Sequence, residues 1–202
     1  MHWLVGVAVS MMVSVAATAP ASSQEPAVKI SPDVPSVTVE TDEGPVVIER
    51  IQDTDNEVSG YYAKTSRECP PFCIQPARAA DGVETIGELE LLDMLADENV
   101  RVIDARTLEW HLEETIPGST HIPYTEVAGR LDELGCVGAA GAWDCSGAMR
   151  VALYCNGLWC GQSPTAIQAM LREGYPADRI FYYRGGMQAW KILGLTTVSG
   201  TM

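Results

Sequence analysis

The stretch Arg150-Val151-Ala152-Leu153-Tyr154-Cys155-Asn156-Gly157-Leu158-Trp159-Cys160-Gly161-Gln162-Ser163-Pro164 decides the reading of this chain. An apolar run of strand length delivers Cys155 into a loop, and the loop meets a helix start with Ser163 as N-cap and Pro164 at the first helical position. That order sets a thiol before free backbone amides and the positive end of a helix dipole. In such a setting a cysteine pKa falls from about 8.5 into the range of about 3.5–7.5, so a thiolate forms without a histidine base. The same cradle suits an anion or a persulfide, because helix N-termini bind negative groups. The plain alternative is a small residue buried at a strand end, where free cysteine is often found.

The flanks repeat the alternation of strand and helix. Upstream, Thr85-Ile86-Gly87-Glu88 reads as a capping box for a helix with Leu89, Leu92 and Leu95 on one face, followed by a short buried strand over 99–104. Thr107 caps a turn of helix through Trp110, Pro117-Gly118 ends it, and His121-Ile122-Pro123 is extended. Residues 125–134 read as helix, closed by Gly135 in a left-handed C′ position, and 136–147 as a Gly/Ala-rich loop. Downstream, the helix from Ser163 runs to Arg172 with Gly174 as its stop, 179–183 is a third strand, and 186–193 a last short helix. Strands separated by helices of this length imply an α/β fold with a small parallel sheet covered on both faces. Ligands of such sheets sit beyond the carboxyl ends of the strands, where Cys155 stands.

Three segments in order, 102–123 (VIDARTLEWHLEETIPGSTHIP), 151–175 and 179–190 (RIFYYRGGMQAW), resemble rhodanese domains. They carry an Asp-x-Arg strand end leading to Ile-Pro-Gly, a cysteine loop, and Gly-Gly-x-x-Ala-Trp. The resemblance places the domain at 84–202 and implies sulfur transfer. Cys155 would take the outer sulfur of a small donor such as thiosulfate, hold it as a persulfide and pass it to a thiol acceptor, with loop amides stabilising the charge. No cofactor is implied. It also sets Arg184 in a turn beside the loop, as the candidate substitute anion contact. Asp104 and Arg106, at a strand end, either orient the loop or substrate or form a buried pair.

The loop departs from the family pattern. Typical catalytic loops carry an arginine five residues after the cysteine, with the helix cap next; here that position is Cys160, and Ser163 lies three residues further on. Losing a charge-assisted contact of about 1.5–3 kcal/mol weakens thiosulfate binding by about one to two orders of magnitude. The related phosphatases and arsenate reductases need the same arginine for a dense anion. A longer loop with Leu158 and Trp159 suits a larger, less charged substrate. Cys160 either resolves a persulfide or sulfenate on Cys155, which would make the chain a thiol-disulfide redox protein, or packs structurally. A third reading is a catalytically silent scaffold that binds a partner protein.

Outward again, residues 1–21 read as a signal peptide: 3–19 carry no charge, and Ala19-Pro20-Ala21 fits a cleavage site before Ser22. The n-region lacks Lys and Arg, which leaves an uncleaved anchor of about 17 apolar residues as the alternative. Export to a periplasmic or extracellular space, with no stable membrane insertion after cleavage, follows from the first reading. Residues 22–83 form an acidic, proline-punctuated extension in which 36–40 (SVTVE) and 46–50 (VVIER) flank a turn and read as a β-hairpin. A hairpin alone is marginal in water, so it must lean on the domain.

In an oxidising compartment the six cysteines become a framework: Cys69 with Cys73 around two prolines, whose functional alternative is a metal or redox clip, and Cys136 with Cys145 around the Gly/Ala loop are candidate disulfides, although six cysteines allow 15 connectivities. Three histidines, one of them in the leader, supply no metal site. His111 and His121 read as packing residues and Trp190 as core. The acid excess, 27 Asp and Glu against 13 Lys and Arg, gives a net charge of −14 and argues against nucleic acid as a partner.

Overall fold

The computed structural model describes residues 26–202; the apolar leader over 1–21 and its cleavage site lie outside the described residues. The chain opens with the hairpin β1 (Ser36–Val39) and β2 (Val46–Glu49), antiparallel with Val39 opposite Val46. Its turn closes through Thr41, whose hydroxyl donates to the Gly44 carbonyl at 2.6 Å. Val39 and Ile48 are buried on the domain, and the Ile51 amide donates to Gly194 at 2.7 Å. Burying a side chain such as Ile48 contributes about 1.5–3 kcal/mol, which is what fixes an otherwise marginal hairpin.

The remaining elements are β3 (Glu84–Ile86), α1 (Glu88–Leu95), β4 (Val100–Asp104), α2 (Leu108–Glu113), β5 (Thr120–His121), β6 (Arg150–Tyr154), α3 (Gln162–Arg172), β7 (Ile180–Tyr183) and α4 (Gly186–Ile192). The sheet is parallel throughout, in the order β3-β7-β6-β4-β5. Strand alternation splits the core into two layers. Ile103, Val151, Leu153, Ile180 and Tyr182 pack with Ala166, Ile167 and Met170 of α3. Val102, Ala152, Tyr154 and Tyr183 pack with α1, the hairpin, and Met187 and Trp190 of α4. Because β6 is covered on both faces, its sequence is continuously apolar after Arg150 rather than alternating.

Four local expectations shift. Thr85 is not an N-cap: it pairs with Tyr182 in edge strand β3 and its hydroxyl donates to Ala77 at 2.5 Å. The cap moves two residues on, where the Glu90 carboxylate accepts the Gly87 amide at 3.0 Å, and α1 buries Leu91, Leu92 and Met94 while Leu89 faces solvent. Residues 125–134 form two short 3₁₀ turns, Val127–Gly129 and Leu131–Leu134, instead of one helix, because Arg130 leaves helical backbone (φ −122°, ψ 30°) after Gly129. Finally, α3 begins at Gln162 with Gly161 as N-cap, so Ser163 lies inside the first turn rather than at its cap. Gly135 is left-handed (φ 85°), as the stop signal requires.

Candidate active site

β6 carries Cys155 to the carboxyl edge of the sheet, between β4 and β7, where the residue is 2% exposed. The start of α4 clamps the strand end: Met187 donates its amide to the Cys155 carbonyl at 3.0 Å and Gln188 to the Asn156 carbonyl at 3.1 Å. That approach needs glycine. At Gly186 (φ 56°) a Cβ would overlap the Cys155 carbonyl oxygen and stand 2.7 Å from the Gly157 nitrogen. Gly157 itself is at φ 150°, with Gln188 side-chain atoms 3.0–3.1 Å from where a Cβ would be. The Gly185-Gly186 turn thus sets the loop's first two residues.

Placing Ser163 inside α3 frees its hydroxyl, which donates to Cys155 Sγ at 3.1 Å. The protonated Cys155 thiol in turn points at the Cys160 carbonyl, 3.1 Å away. Burial pushes the Cys155 pKa up, but hydrogen bonds from the Cys160 thiol, the Ser163 hydroxyl and the Ser163 and Gly157 amides outweigh it, and the value falls to about 7. Cys160 moves the opposite way: holding its proton against the Cys155 thiolate, with burial added, raises it well above the ordinary thiol range. The two thiols therefore share one readily lost proton, and Cys155 is the member that ionises. Gln162 accepts a weak contact from Cys160 Sγ at 3.6 Å.

Asp104 and Arg106 form a fully buried bidentate pair, with Arg106 Nε 2.8 Å from Oδ1 and Nη2 2.6 Å from Oδ2. Burial works against the charged carboxylate, but the bonds and charge of Arg106 and the bond from His111 Nδ1 (3.1 Å) hold it well below the usual carboxylate range; Thr115 donates to the same carboxylate at 2.9 Å. The pair reaches the loop directly, with Arg106 Nη1 donating to Asn156 Oδ1 at 3.5 Å, and again through Tyr62. Arg106 Nη1 donates to the Tyr62 hydroxyl at 3.3 Å, and Tyr62 donates to Asn156 Oδ1 at 2.9 Å. His111 and His121 stack at 4.3 Å behind it and take no part in the loop. A groove of about 820 Å³ lined by these histidines, Arg101, Arg130 and the C-terminal residues includes no residue of the cysteine loop.

The extension, which the sequence leaves without a role, roofs the site. Tyr61 packs on Cys155, Trp159 and Cys160. The Arg67 guanidinium sits between two rings, 3.6 Å from Trp159 and 4.2 Å from Tyr61, and Phe72 meets Trp159 edge-on at 5.5 Å. The Gln75 amide donates to the Leu158 carbonyl at 2.8 Å, and the Gln75 side chain lies 3.6 Å from where a Cβ of Gly161 would be. Gln188 ties both parts, accepting from Trp159 Nε1 at 2.9 Å and donating to the Tyr62 carbonyl at 2.8 Å. Arg184 does not point at the thiol: its Nη2 donates to the Gln75 carbonyl at 2.7 Å, so it holds the roof, while its buried Nε has no partner among the described residues. Cys69–Cys73 is a disulfide within the roof, and Cys136–Cys145 is a disulfide in the core. Tyr61, Tyr62, Arg67, Phe72, Gln75 and Gln188 carry no local motif; only their distant partners give them meaning.

The HTH-type transcriptional regulator Rv0324 of Mycobacterium tuberculosis is 29% identical over 117 residues, which is 58% of this chain and 46% of the regulator. The chain thus spans less than half the length of that curated relative. Among solved structures, a thiosulfate sulfurtransferase from Pseudomonas aeruginosa matches at 25% identity with a TM-score of 0.44, over 58% of this chain and 20% of that one. A human single-domain sulfurtransferase, TSTD1, matches at 21% identity with a TM-score of 0.41, over 54% of this chain and 96% of that one. The profile of the rhodanese-like domain matches residues 88–193, a span that takes in the Asp104 strand end, the cysteine loop and the Gly185-Gly186 turn. With that match over more than half its length, the chain belongs to the rhodanese-like domain family.

Proposed function

We propose that this protein is a sulfurtransferase that carries sulfane sulfur as a persulfide on Cys155, in an oxidising compartment reached by way of its leader. The observation that carries the reading is the buried thiol at the end of β6, which accepts a hydrogen bond from the Ser163 hydroxyl at the first turn of α3. The Cys155 thiolate attacks the outer sulfur of a donor R–S–S⁻; the bond between the two donor sulfurs breaks, and R–S⁻ leaves with its electron pair. An acceptor thiolate then attacks the outer sulfur of the Cys155 persulfide and restores the Cys155 thiolate. The Ser163 hydroxyl and the amides that favour the thiolate favour the anionic persulfide for the same reason. No residue of 156–162 is a cation, so thiosulfate, a dianion, is the weaker donor and an organic persulfide, a monoanion, the better one. Intact mass after incubation with polysulfide should show one added sulfur, about 32 Da, that Cys155→Ser abolishes. No adduct with polysulfide, organic persulfide or thiosulfate would sink the reading.

A second reading draws on the two free, buried thiols of one loop, Cys155 and Cys160. Cys160 attacks Sγ of the Cys155 persulfide, the outer sulfur leaves as hydrosulfide, and a Cys155–Cys160 disulfide remains for an external dithiol to reduce. Cys160→Ser separates the two: the added sulfur persists and still passes to an acceptor thiol in simple transfer, whereas hydrosulfide release stops if Cys160 resolves it.

A further inference from the structure

Residues 61–75 lie over the cysteine loop, and one covalent bond organises the part of that segment that meets Trp159 and Leu158. Beyond the 3₁₀ turn Gly60–Ala63 it has neither helix nor strand, so its order rests on the Arg67, Phe72 and Gln75 contacts and on the Cys69–Cys73 disulfide that spans the Pro70-Pro71 turn. Phe72 lies inside the disulfide ring and Gln75 two residues beyond it, so the bond sets both contacts with the cysteine loop. The two disulfides differ in access. Cys136 and Cys145 are 3% and 5% exposed within the core, whereas Cys69 is exposed and is surrounded by exposed Pro70, Pro71, Phe72 and Ile74. A staple that constrains an irregular surface segment is superfluous for the parallel sheet but decisive for whether the roof stays down.

We propose that Cys69–Cys73 is a second redox site, a substrate for an external dithiol, and that its reduction releases residues 64–75 from Leu158 and Trp159, while Tyr62 stays anchored in the core, and so opens Cys155. A thiolate of the dithiol attacks the exposed Cys69 Sγ; the disulfide breaks and Cys73 leaves as a thiolate that takes a proton. The second thiol of the dithiol then attacks the mixed disulfide and releases Cys69. Two electrons and two protons pass to the cysteine pair, and the dithiol becomes a disulfide. Without the cross-link, ordering the turn costs more chain entropy for the same Phe72 and Gln75 contacts, and the open state gains population. The partner is a dithiol carrying apolar surface to match the exposed prolines, Phe72 and Ile74. What the open site then does rests on the sulfurtransferase reading; the opening itself does not.

The experiment treats the full chain with a graded, low concentration of dithiothreitol, labels it with N-ethylmaleimide and maps each cysteine by mass spectrometry. Cys69 and Cys73 should be reduced while Cys136–Cys145 stays intact, and in those molecules the labelling of Cys155 should accelerate about tenfold or more, as exposure of a closed site requires. Cys69→Ser/Cys73→Ser should show the same acceleration without reductant, and Phe72→Ala, with the disulfide intact, a smaller one. Reduction of Cys136–Cys145 before Cys69–Cys73 overturns the assignment of the redox site. A selectively reduced chain whose Cys155 labels no faster overturns the gate. Labelling needs no turnover, so a chain that opens yet takes no sulfur from polysulfide refutes the transferase reading and leaves the gate standing.

Discussion

Replacing Ser163 with alanine removes the one side-chain hydroxyl on Cys155 Sγ, a 3.1 Å contact inside α3, and leaves the loop amides and Cys160 in place. A hydrogen bond to a charged group is worth about 1.5–3 kcal/mol, or about one to two pKa units at 1.36 kcal/mol per unit. The thiol should therefore rise from about 7 to about 8–9. At pH 7 the thiolate fraction drops from about a half to about a tenth or a hundredth. The less acidic thiolate is the better nucleophile, by about threefold to eightfold at a Brønsted slope of about 0.4–0.5. Net alkylation at pH 7 should then slow only about twofold to sixfold, and above about pH 10 the variant should overtake the wild type by about threefold to eightfold.

The assay is the rate of iodoacetamide modification of Cys155, mapped by mass, from about pH 5 to about pH 10. Ser163 is buried and its hydroxyl bonds Cys155, not a residue of the roof, so any opening step cancels in the ratio of the two proteins. The crossing of the two profiles is the diagnostic feature. A variant slower by one constant factor at every pH, with an unmoved midpoint, would show that Ser163 only packs and would refute the account of the thiol.

Asp104→Asn leaves the Arg106 charge buried without its bidentate partner and should cost about 3–5 kcal/mol in urea unfolding; a loss below about 1 kcal/mol would contradict the assignment of the pair as structural. Gly186→Ala and Gly174→Ala both place a side chain at positive φ, a backbone penalty of about 1–2 kcal/mol each, but only the first also drives a Cβ onto the Cys155 carbonyl. The Gly186 variant should melt well below the Gly174 variant, and equal melting temperatures would remove the α4 turn from the account of the site. For pH, Cys155 ionises at a lower pH in the native state than in the unfolded one, so its stabilisation is complete above about pH 8.5 and is lost as pH falls through about 7. Cys160, raised in the native state, contributes in the opposite sense above about pH 8.5. The unfolding free energy of wild type minus Cys155→Ser should climb between about pH 6 and pH 8.5 and then decline; a difference that falls across the first interval contradicts the direction given for Cys155, and one that keeps climbing above about pH 8.5 contradicts that given for Cys160.

Where local order decided the outcome, the sequence was legible. β6, its cysteine, the loop and α3 are contiguous, and the Gly185-Gly186 turn stands out because only glycine permits its approach to the Cys155 carbonyl. Tertiary pairing overrode local signals elsewhere. Thr85 and Glu88 have capping-box spacing, but β7 offers a parallel edge that takes Glu84, Thr85 and Ile86 as a strand, so the cap falls to Gly87 and Glu90. Ser163 has the chemistry of an N-cap, yet the helix starts one residue ahead of it and its hydroxyl serves the thiol instead. The roof was illegible for a different reason: Arg67 on Trp159 and Tyr62 on Asn156 are contacts between distant segments, and nothing in either segment alone signals the other.

The arginines near the loop bear on what kind of site this is. A cysteine loop without a cation, in a chain of net charge −14, invites the search for a basic residue that compensates from elsewhere. The arginines beside the loop are all engaged: Arg67 is held between Tyr61 and Trp159, Arg184 donates to Gln75, and Arg106, which reaches Asn156, is paired with Asp104. Cys155 is acidified by neutral dipoles instead, the Ser163 hydroxyl, the Cys160 thiol and the loop amides, all within the first turn of α3 or the loop itself. Dipoles at hydrogen-bond distance in a buried site act at short range and are little screened by salt, whereas recognition of an incoming anion would need charge at longer range. Acidity and recognition are therefore supplied by different parts of the chain. The family domain supplies the dipoles around the thiol, and the extension, through Tyr61, Arg67, Phe72 and Gln75, covers the loop that holds it.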